Sequence, residues 1–208
     1  MKIILASDIS FLLKYGYNLT GISKENMRIG YVTTASKGAR TDANLKYRQM
    51  IYDENYNLQE IDIEGKSCEE LLSFFKDKNI IQVEGGNTFY LLNAIRKSGF
   101  EEALKILLNK GLVYIGTSAG SYIMCPTIEV SDWSDESISR WGVSDFKSLN
   151  YVPFVLRVHY KDEKEEEVKE KMKNLKHPLR ILHDGEGIFC ENDVCKFYGD
   201  KEETVIKP

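Results

Sequence analysis

The chain has 208 residues, 42% hydrophobic and 29% charged, which is enough apolar material for one sizeable core. Its 28 basic and 32 acidic side chains give a net charge of −4, which argues against a nucleic-acid partner because phosphate neutralisation requires a cationic surface. The longest apolar runs fall far short of the roughly 20 residues that span a bilayer. No signal-peptide core follows Met1, so we expect a single domain, residues 1–208, in the cytoplasm and without a membrane partner.

Short β-rich runs alternate with longer amphipathic segments through the first half of the chain. In the helical segments, apolar residues recur three or four positions apart, and Thr41 and Ser67 suit N-caps, with Glu70 completing a capping box. Alternating elements of this kind predict an α/β fold, a doubly wound and mostly parallel sheet sandwiched by helices. The predicted strands are 2–6, 28–33, 58–63, 80–83 and 112–116, and the predicted helices are 41–52, 67–76, 88–97 and 100–109.

The second half is less regular. A Ser/Asp/Trp-rich excursion lies between residues 118 and 159, and the highly charged stretch 161–176 predicts a solvated helix. Strands are predicted at 180–183, 187–191 and 194–198, and the chain ends in a β-hairpin. The four cysteines are scattered without a CxxC pair or a neighbouring His cluster, so we expect neither a zinc site nor a disulfide framework; they are Cys68, Cys125, Cys190 and Cys195.

The sharpest motif is GTSAG at residues 116–120, which follows an apolar run and precedes a helix-like segment. A nucleophile elbow of the G-x-S-x-G type requires small residues on both sides of the serine, because the sharp turn brings their backbones together. Gly116 and Gly120 meet that requirement, so Ser118 is the candidate nucleophile, and the N–H of Ala119 is placed to bind a developing oxyanion. The alternative is a Gly/Ser-rich loop without function.

A serine nucleophile normally requires a base, and the chain has only three histidines. His177 stands before a proline in a predicted exposed turn, and His183 ends an apolar run that could simply close a strand. His159 ends the strand-like run FVLRVH, and the carboxyl ends of strands are where α/β sheets present reactive groups. We therefore predict that His159 is the base.

A second informative segment is IIQVEGGNTFYLLNAI, in which a strand ends at Gly85 and Gly86 and a helix opens at Asn87 and Thr88. Two glycines followed by a residue that can cap a helix could turn backbone N–H groups toward a ligand or a reaction intermediate. The segment lacks the further glycines of a dinucleotide fingerprint. An ordinary strand-to-helix turn is the alternative.

Four segments together resemble the peptidase E family of serine peptidases, which includes aspartyl dipeptidases and, more distantly, cyanophycinases. They are GGNTFYLL at 85–92, YIGTSAGSYIMCPTI at 114–128, FKSLNYVPFVLRVHY at 146–160 and LHDGEGI at 182–188. The resemblance covers nearly the whole chain. It implies a fold like that of the class I glutamine amidotransferases, with the nucleophile on an elbow.

The resemblance also implies roles for individual residues. Ser118 is then the nucleophile, His159 the base, and Gly86 and Ala119 the N–H donors of the oxyanion hole. Gly85 and Asn87, on either side of Gly86, are expected to contact the substrate.

The acidic partner of His159 stays open at this stage. The resemblance implies an acid in one of two places: in HDGEG, which offers Asp184 and Glu186 and where alignment of the downstream hairpin favours Asp184, or shortly beyond the CPTI segment, where Asp132 stands. A carboxylate in this role orients the imidazole, so only a residue that reaches its second ring nitrogen qualifies.

The implied activity is hydrolysis of a short peptide or isopeptide bond through an acyl-enzyme, as in a dipeptidase, with no metal or organic cofactor. The resemblance implies a small peptide as the substrate and a monomer or homodimer as the assembly. Aspartyl dipeptidases carry an arginine after the catalytic histidine, whereas residues 161–171 here read KDEKEEEVKEK, so strict aspartate specificity is not expected. Alternatives are a cyanophycinase-like or other small-amide hydrolase, and an inactive binding or regulatory module of the same fold.

Overall fold

The computed structural model describes residues 1–39, 43–132, 141–161, 168, 170 and 175–208. Its strands lie within one or two residues of the predicted positions in the first half of the chain. They are β1 (Lys2–Ala6), β2 (Ile29–Val32), β3 (Leu58–Ile61), β4 (Ile80–Val83), β5 (Val113–Thr117), β6 (Val155–Arg157), β7 (Leu179–Ile181), β8 (Gly187–Glu191), β9 (Val194–Tyr198) and β10 (Thr204–Ile206).

Helices occupy the segments with an apolar residue every three or four positions. Ser67 caps its helix, and the Glu70 side chain accepts from the Ser67 N–H, so the predicted capping box is present. The helices are α1 (Ile9–Phe11), a π-helical turn (Leu12–Gly16), α2 (Tyr17–Leu19), α3 (Ala43–Asp53), α4 (Cys68–Phe75), α5 (Thr88–Lys97), α6 (Phe100–Asn109) and α7 (Ala119–Tyr122). Three 3-10 turns, Lys24–Asn26, Thr34–Gly38 and Glu129–Asp132, lie between them. No helix in the described parts of the chain is both long and apolar enough to cross a membrane.

The main sheet has seven strands in the order β3-β2-β4-β5-β1-β8-β9. Strands β1 to β5 are parallel, whereas β8 pairs antiparallel with β1 and continues into the hairpin with β9. The predicted α/β fold with a mostly parallel sheet and a hairpin is therefore confirmed. The register of β1 with β8 places Ala6 opposite Gly187, so β8 begins at the edge where β1 ends.

Both faces of the main sheet are covered, as the apolar runs of its central strands require. Alternate residues of β1 enter different clusters: Ile3 and Leu5 pack on the side of α4 to α6, and Ile4 packs on the side of α1 to α3. All three of these side chains are fully buried.

The remaining strands form a small second sheet in the order β10-β7-β6. The segment predicted as a strand at 180–183 is β7, and it pairs with β6 and β10. Thr41 and most of the predicted helix 161–176 lie outside the described residues.

The expectation about the cysteines was wrong in one respect, because Cys190 and Cys195 form a disulfide. The hairpin turns at Asn192–Asp193, and this turn makes Cys190 and Cys195 direct partners across β8 and β9. The predicted strands 187–191 and 194–198 already imply this register, because a two-residue loop fixes it, but a search for CxxC pairs does not detect it. Cys68 and Cys125 are free thiols.

Candidate active site

Candidate site residues lie at the carboxyl ends of three neighbouring strands of the main sheet. Parallel strands end on the same side, so the segments after β4, β5 and β1 lie next to one another, with β5 in the middle. Ser118 follows β5, and Gly85 and Gly86 follow β4. Because β8 runs the opposite way, the turn before it, residues 183–186, comes to this same edge.

Ser118 occupies the predicted turn between β5 and α7. Its backbone is in the left-handed region, with φ 48°, a strained conformation for a serine. A Cβ on Gly116 would overlap the Gly120 carbonyl, and a Cβ on Gly120 would overlap the Val83 carbonyl. Only glycine fits at either position, so the elbow geometry explains why the motif has its two glycines.

His159 lies two residues beyond β6 and also has a left-handed backbone, with φ 52°. Its Nε2 is 3.0 Å from Ser118 Oγ, and its Nδ1 is 2.6 Å from Asp184 Oδ1. A carboxylate accepts hydrogen bonds only, so the proton of a neutral ring belongs on Nδ1 and leaves Nε2 free to accept from the serine. Ser118, His159 and Asp184 thus form one continuous series of contacts.

The other candidate acids and bases have different surroundings. Glu186 Oε2 accepts from the His183 backbone N–H at 2.7 Å and lies 3.1 Å from His183 Nδ1, so these two residues pair with each other. Asp132 ends a 3-10 turn, and its side chain lies outside the described residues. His177 is half-buried and does not line the cavity that holds Ser118.

The sequence reasoning missed Ser7, whose hydroxyl joins two of these segments. Its Oγ donates to Asp184 Oδ1 at 3.1 Å and accepts from the backbone N–H of His159 at 2.9 Å. The only available signal was its place directly after β1, at the carboxyl edge of the sheet.

The glycine turn after β4 lies against Ser118. A Cβ on Gly85 would come within 3.1 Å of Ser118 Cβ, and a Cβ on Gly86, at φ 141°, would overlap the Ala35 carbonyl. Asn87 caps α5 by accepting from the Tyr90 N–H at 2.9 Å, while its own N–H donates to Ala35 O. Ala119 is fully buried and opens α7, directly after the nucleophile.

A buried carboxylate lies directly before this glycine turn. Glu84 is 1% exposed, and its burial raises its pKa to about 7, although the Ser36 hydroxyl and the Arg48 guanidinium oppose the rise. The Arg48 Nε lies 3.4 Å from Glu84 Oε2, and Arg48 also pairs with Glu60 at 2.5 Å. A buried carboxyl group with a pKa near neutral pH therefore lies one residue before Gly85, on the Ser118 side of the site.

The site opens into a cavity of about 380 Å³. Gly85, Gly86, Asn87, Ser118 and His159 all line it, so five of the predicted site residues meet in one place. Asp8 is the one carboxylate among the described lining residues, and none of these is Lys or Arg. The described residues contain no group of three His, Cys, Asp or Glu side chains arranged to hold a metal ion.

Relatives of known sequence include several peptidases. The chain is 28% identical over 160 residues to an uncharacterized peptidase of Pasteurella multocida, covering 76% of this chain and 77% of the relative. It is 34% identical over 117 residues to peptidase E of a Nostoc species, a match that covers 55% of this chain and 44% of the relative.

Two solved structures share the fold. A candidate peptidase E protein from Listeria monocytogenes superposes with a TM-score of 0.82 at 21% identity, covering 95% of this chain and 97% of that one. A peptidase from an acI-B1 actinobacterium superposes with a TM-score of 0.69 at 13% identity, covering 99% and 93%. The model of peptidase family S51 matches residues 15–197, which is most of the chain, and the protein therefore belongs to that family.

Proposed function

We propose that the protein is a serine peptidase that cleaves a short peptide or isopeptide bond through an acyl-enzyme on Ser118. The observation that carries the proposal is the series of contacts from Ser118 Oγ through the His159 ring to Asp184, at 3.0 and 2.6 Å. Such distances are those of a nucleophile within reach of its base and of a base held by its acid. Membership of a peptidase family supports the same reaction class.

In the first half of the reaction, Ser118 Oγ attacks the carbonyl carbon of the scissile bond while His159 Nε2 takes the hydroxyl proton. Asp184 keeps the Nδ1 proton in place and stabilises the imidazolium that forms. The tetrahedral intermediate then collapses, His159 returns the proton to the leaving amine, and an ester on Ser118 remains. Water attacks this ester in the second half, with His159 again the base, and releases the acid and the free serine.

The negative oxygen of the intermediate requires N–H donors beside Ser118. We assign this role to Ala119 and Gly86, the first because it follows the nucleophile at the start of α7, the second because Gly85 packs against the nucleophile. Fixed donors of this kind stabilise the transition state by several kcal/mol, of the order of 3 kcal/mol for one group.

For the substrate, we propose a dipeptide or similarly short peptide with a neutral side chain in the acyl position. The described cavity lining offers no cation to pair with an aspartyl side chain, and the Asp8 carboxylate disfavours a second negative charge there. The test is turnover of a panel containing Ala-Leu, Asp-Leu and β-Asp-Leu. Faster cleavage of Ala-Leu supports this specificity, whereas a marked preference for either aspartyl peptide contradicts it and favours an aspartyl dipeptidase or a cyanophycinase-like activity.

The reaction class itself is tested with a fluorophosphonate probe, which traps an activated serine covalently. We expect strong labelling of the wild type, no labelling of Ser118→Ala, and a fall in peptide turnover by at least about 10³-fold in that variant. Equal labelling of both proteins would refute the assignment. An inactive binding module is the second reading, and a wild type that neither labels nor turns over any peptide in the panel would support it.

A further inference from the structure

The Ser7 hydroxyl is the contact shared by the candidate acid and base. Its Oγ donates to Asp184 Oδ1 at 3.1 Å, and that same oxygen lies 2.6 Å from His159 Nδ1. The hydroxyl also accepts from the His159 backbone N–H at 2.9 Å. One side chain therefore fixes both which carboxylate oxygen faces the imidazole and where the backbone carrying that imidazole lies.

Asp184 and His159 have few other constraints. Their side chains are 61% and 45% exposed, so solvent competes for the carboxylate and screens its attraction to the ring. His159 also has a left-handed backbone that local sterics alone do not favour. Ser7, by contrast, is fully buried at the end of a central strand. A rigid buried hydroxyl can hold a solvent-exposed pair in one arrangement where charge attraction alone cannot.

The backbone around Ser7 strengthens this connection. The Ser7 N–H donates to Glu186 O at 3.0 Å, and the Gly185 N–H donates to Asp8 Oδ1 at 2.9 Å. On the other side, the Ser118 N–H donates to Ala6 O at 3.0 Å. The end of β1 thus contacts the nucleophile, the base and the turn of the acid.

We propose that Ser7 is a positioning residue that holds the Asp184 carboxylate against the His159 ring and thereby keeps His159 Nε2 aligned with Ser118. The proposal rests on the serine peptidase function proposed above. Ser7 transfers no proton in the reaction; it acts through the other two residues. Its removal should lower the rate of the chemical steps and leave substrate binding nearly unchanged, because the displaced groups act mainly in the transition state.

The first experiment compares Ser7→Ala with the wild type. We expect kcat to fall about 10- to 100-fold, which is typical for a small misplacement of a catalytic group, with KM unchanged within about twofold. Labelling by the fluorophosphonate should slow by a similar factor, because it also requires activated Ser118. A proton NMR signal at low field from His159 Nδ1, assigned by its loss in His159→Gln, should broaden or shift in Ser7→Ala.

Thr20 provides the matched control. It is 2% exposed, and its hydroxyl also donates one hydrogen bond, to Tyr17 O at 2.7 Å, and accepts one, from the Ile22 N–H at 3.1 Å. It lies near the opposite end of β1 from Ser7, where Lys2 Nζ donates to the Thr20 carbonyl. Thr20→Val should lower the unfolding temperature, as the loss of a buried bridging hydroxyl does, and leave kcat and the low-field signal unchanged.

Ser7→Cys guards against a failure of Ser7→Ala to fold, because a thiol keeps most of the volume but is a weak donor. Its kcat should fall as well. Wild-type kcat together with an unchanged low-field signal in either folded variant would overturn the positioning role and leave the proposed function intact. Wild-type turnover by Ser118→Ala would instead overturn the proposed function.

Discussion

The two sides of the site are held in different ways. The nucleophile turn is fixed by backbone sterics, since Gly116 and Gly120 sit where a Cβ would overlap a main-chain carbonyl. The turn that carries Asp184 has no comparable packing: a Cβ on Gly185 would meet only Ser10 Oγ, at 3.8 Å. That turn is held by two hydrogen bonds, one that Ser7 Oγ donates to Asp184 and one that the Gly185 N–H donates to the Asp8 carboxylate, and both partners lie more than 170 positions earlier in the chain.

The difference fits the roles that we propose for the two sides. A nucleophile must stay rigid in a strained conformation, and close packing of main-chain atoms supplies that rigidity. An acid needs its carboxylate in one orientation, and directional hydrogen bonds supply that orientation without close packing around the group. The nucleophile side should therefore fail through loss of folding, and the acid side through loss of rate in a folded protein.

The largest expected effect is on the nucleophile side, in Gly120→Ala. The new methyl group would overlap the Val83 carbonyl in strand β4, which is paired on both sides in the sheet. We expect the free energy of unfolding to fall by about 3 kcal/mol or more. Activity should be lost as well, because the turn that holds Ser118 would be distorted. Urea unfolding and fluorophosphonate labelling measure the two effects.

Gly111→Ala is the control for this substitution. Gly111 has φ 92° but nothing within 4 Å of a new Cβ, so its cost is backbone strain of about 1 kcal/mol. Activity should be retained. Equal effects of the two substitutions would mean that packing does not fix the elbow.

On the acid side, Asp184→Asn should give a folded protein whose kcat falls about 10²- to 10⁴-fold. An amide can donate to the ring nitrogen where the carboxylate only accepts, so it stabilises the wrong tautomer and no longer supports the imidazolium. Steady-state kinetics with the best peptide of the panel and a thermal melt are the measurements. The control is Asp193→Asn, in the exposed turn of the hairpin, which should match the wild type in kcat and in unfolding temperature. A kcat near the wild-type value in Asp184→Asn would show that Asp184 has no part in the mechanism.

The smallest effect concerns the buried Glu84 beside the glycine turn. Its pKa is raised in the folded protein from an ordinary value of 4.5 to about 7. The unfolded chain therefore loses this proton first as the pH rises, and the wild type loses stability between about pH 4.5 and 7. Glu84→Gln has no titratable group at this position, so its stability should not fall in this way. The unfolding free energy of the variant minus that of the wild type should therefore increase by roughly 2–3 kcal/mol from pH 5 to pH 8. Urea unfolding at both pH values tests this, and parallel stabilities would show that Glu84 does not titrate in this range.

Much of the main sheet could be predicted because its signals are local. Strands 2–6 and 80–83 and helices 88–97 and 100–109 agree with the structure residue for residue. Buried parallel strands read as continuous apolar runs, and caps such as Ser67 mark where a helix begins. The membership of β7 in a second sheet depends on contacts between distant segments, which no local pattern contains. The pairing of Cys190 with Cys195 is different, because the two-residue turn between the predicted strands already makes these residues partners, although a search for CxxC spacing does not detect it.

In the candidate site, the sequence alone predicted the turn at Ser118 and, among three histidines, His159 as the base. A motif such as G-x-S-x-G is a steric requirement on five consecutive residues, so it is visible in the chain itself. Only the tertiary structure shows which carboxylate contacts His159 and that Ser7 contacts both residues. The sequence left Asp184, Glu186 and Asp132 open, with the downstream hairpin favouring Asp184, and Ser7 carries no motif at all. The antiparallel β8 brings the turn of Asp184 back to the end of β1, and that contact between distant parts of the chain selects the carboxylate that reaches His159.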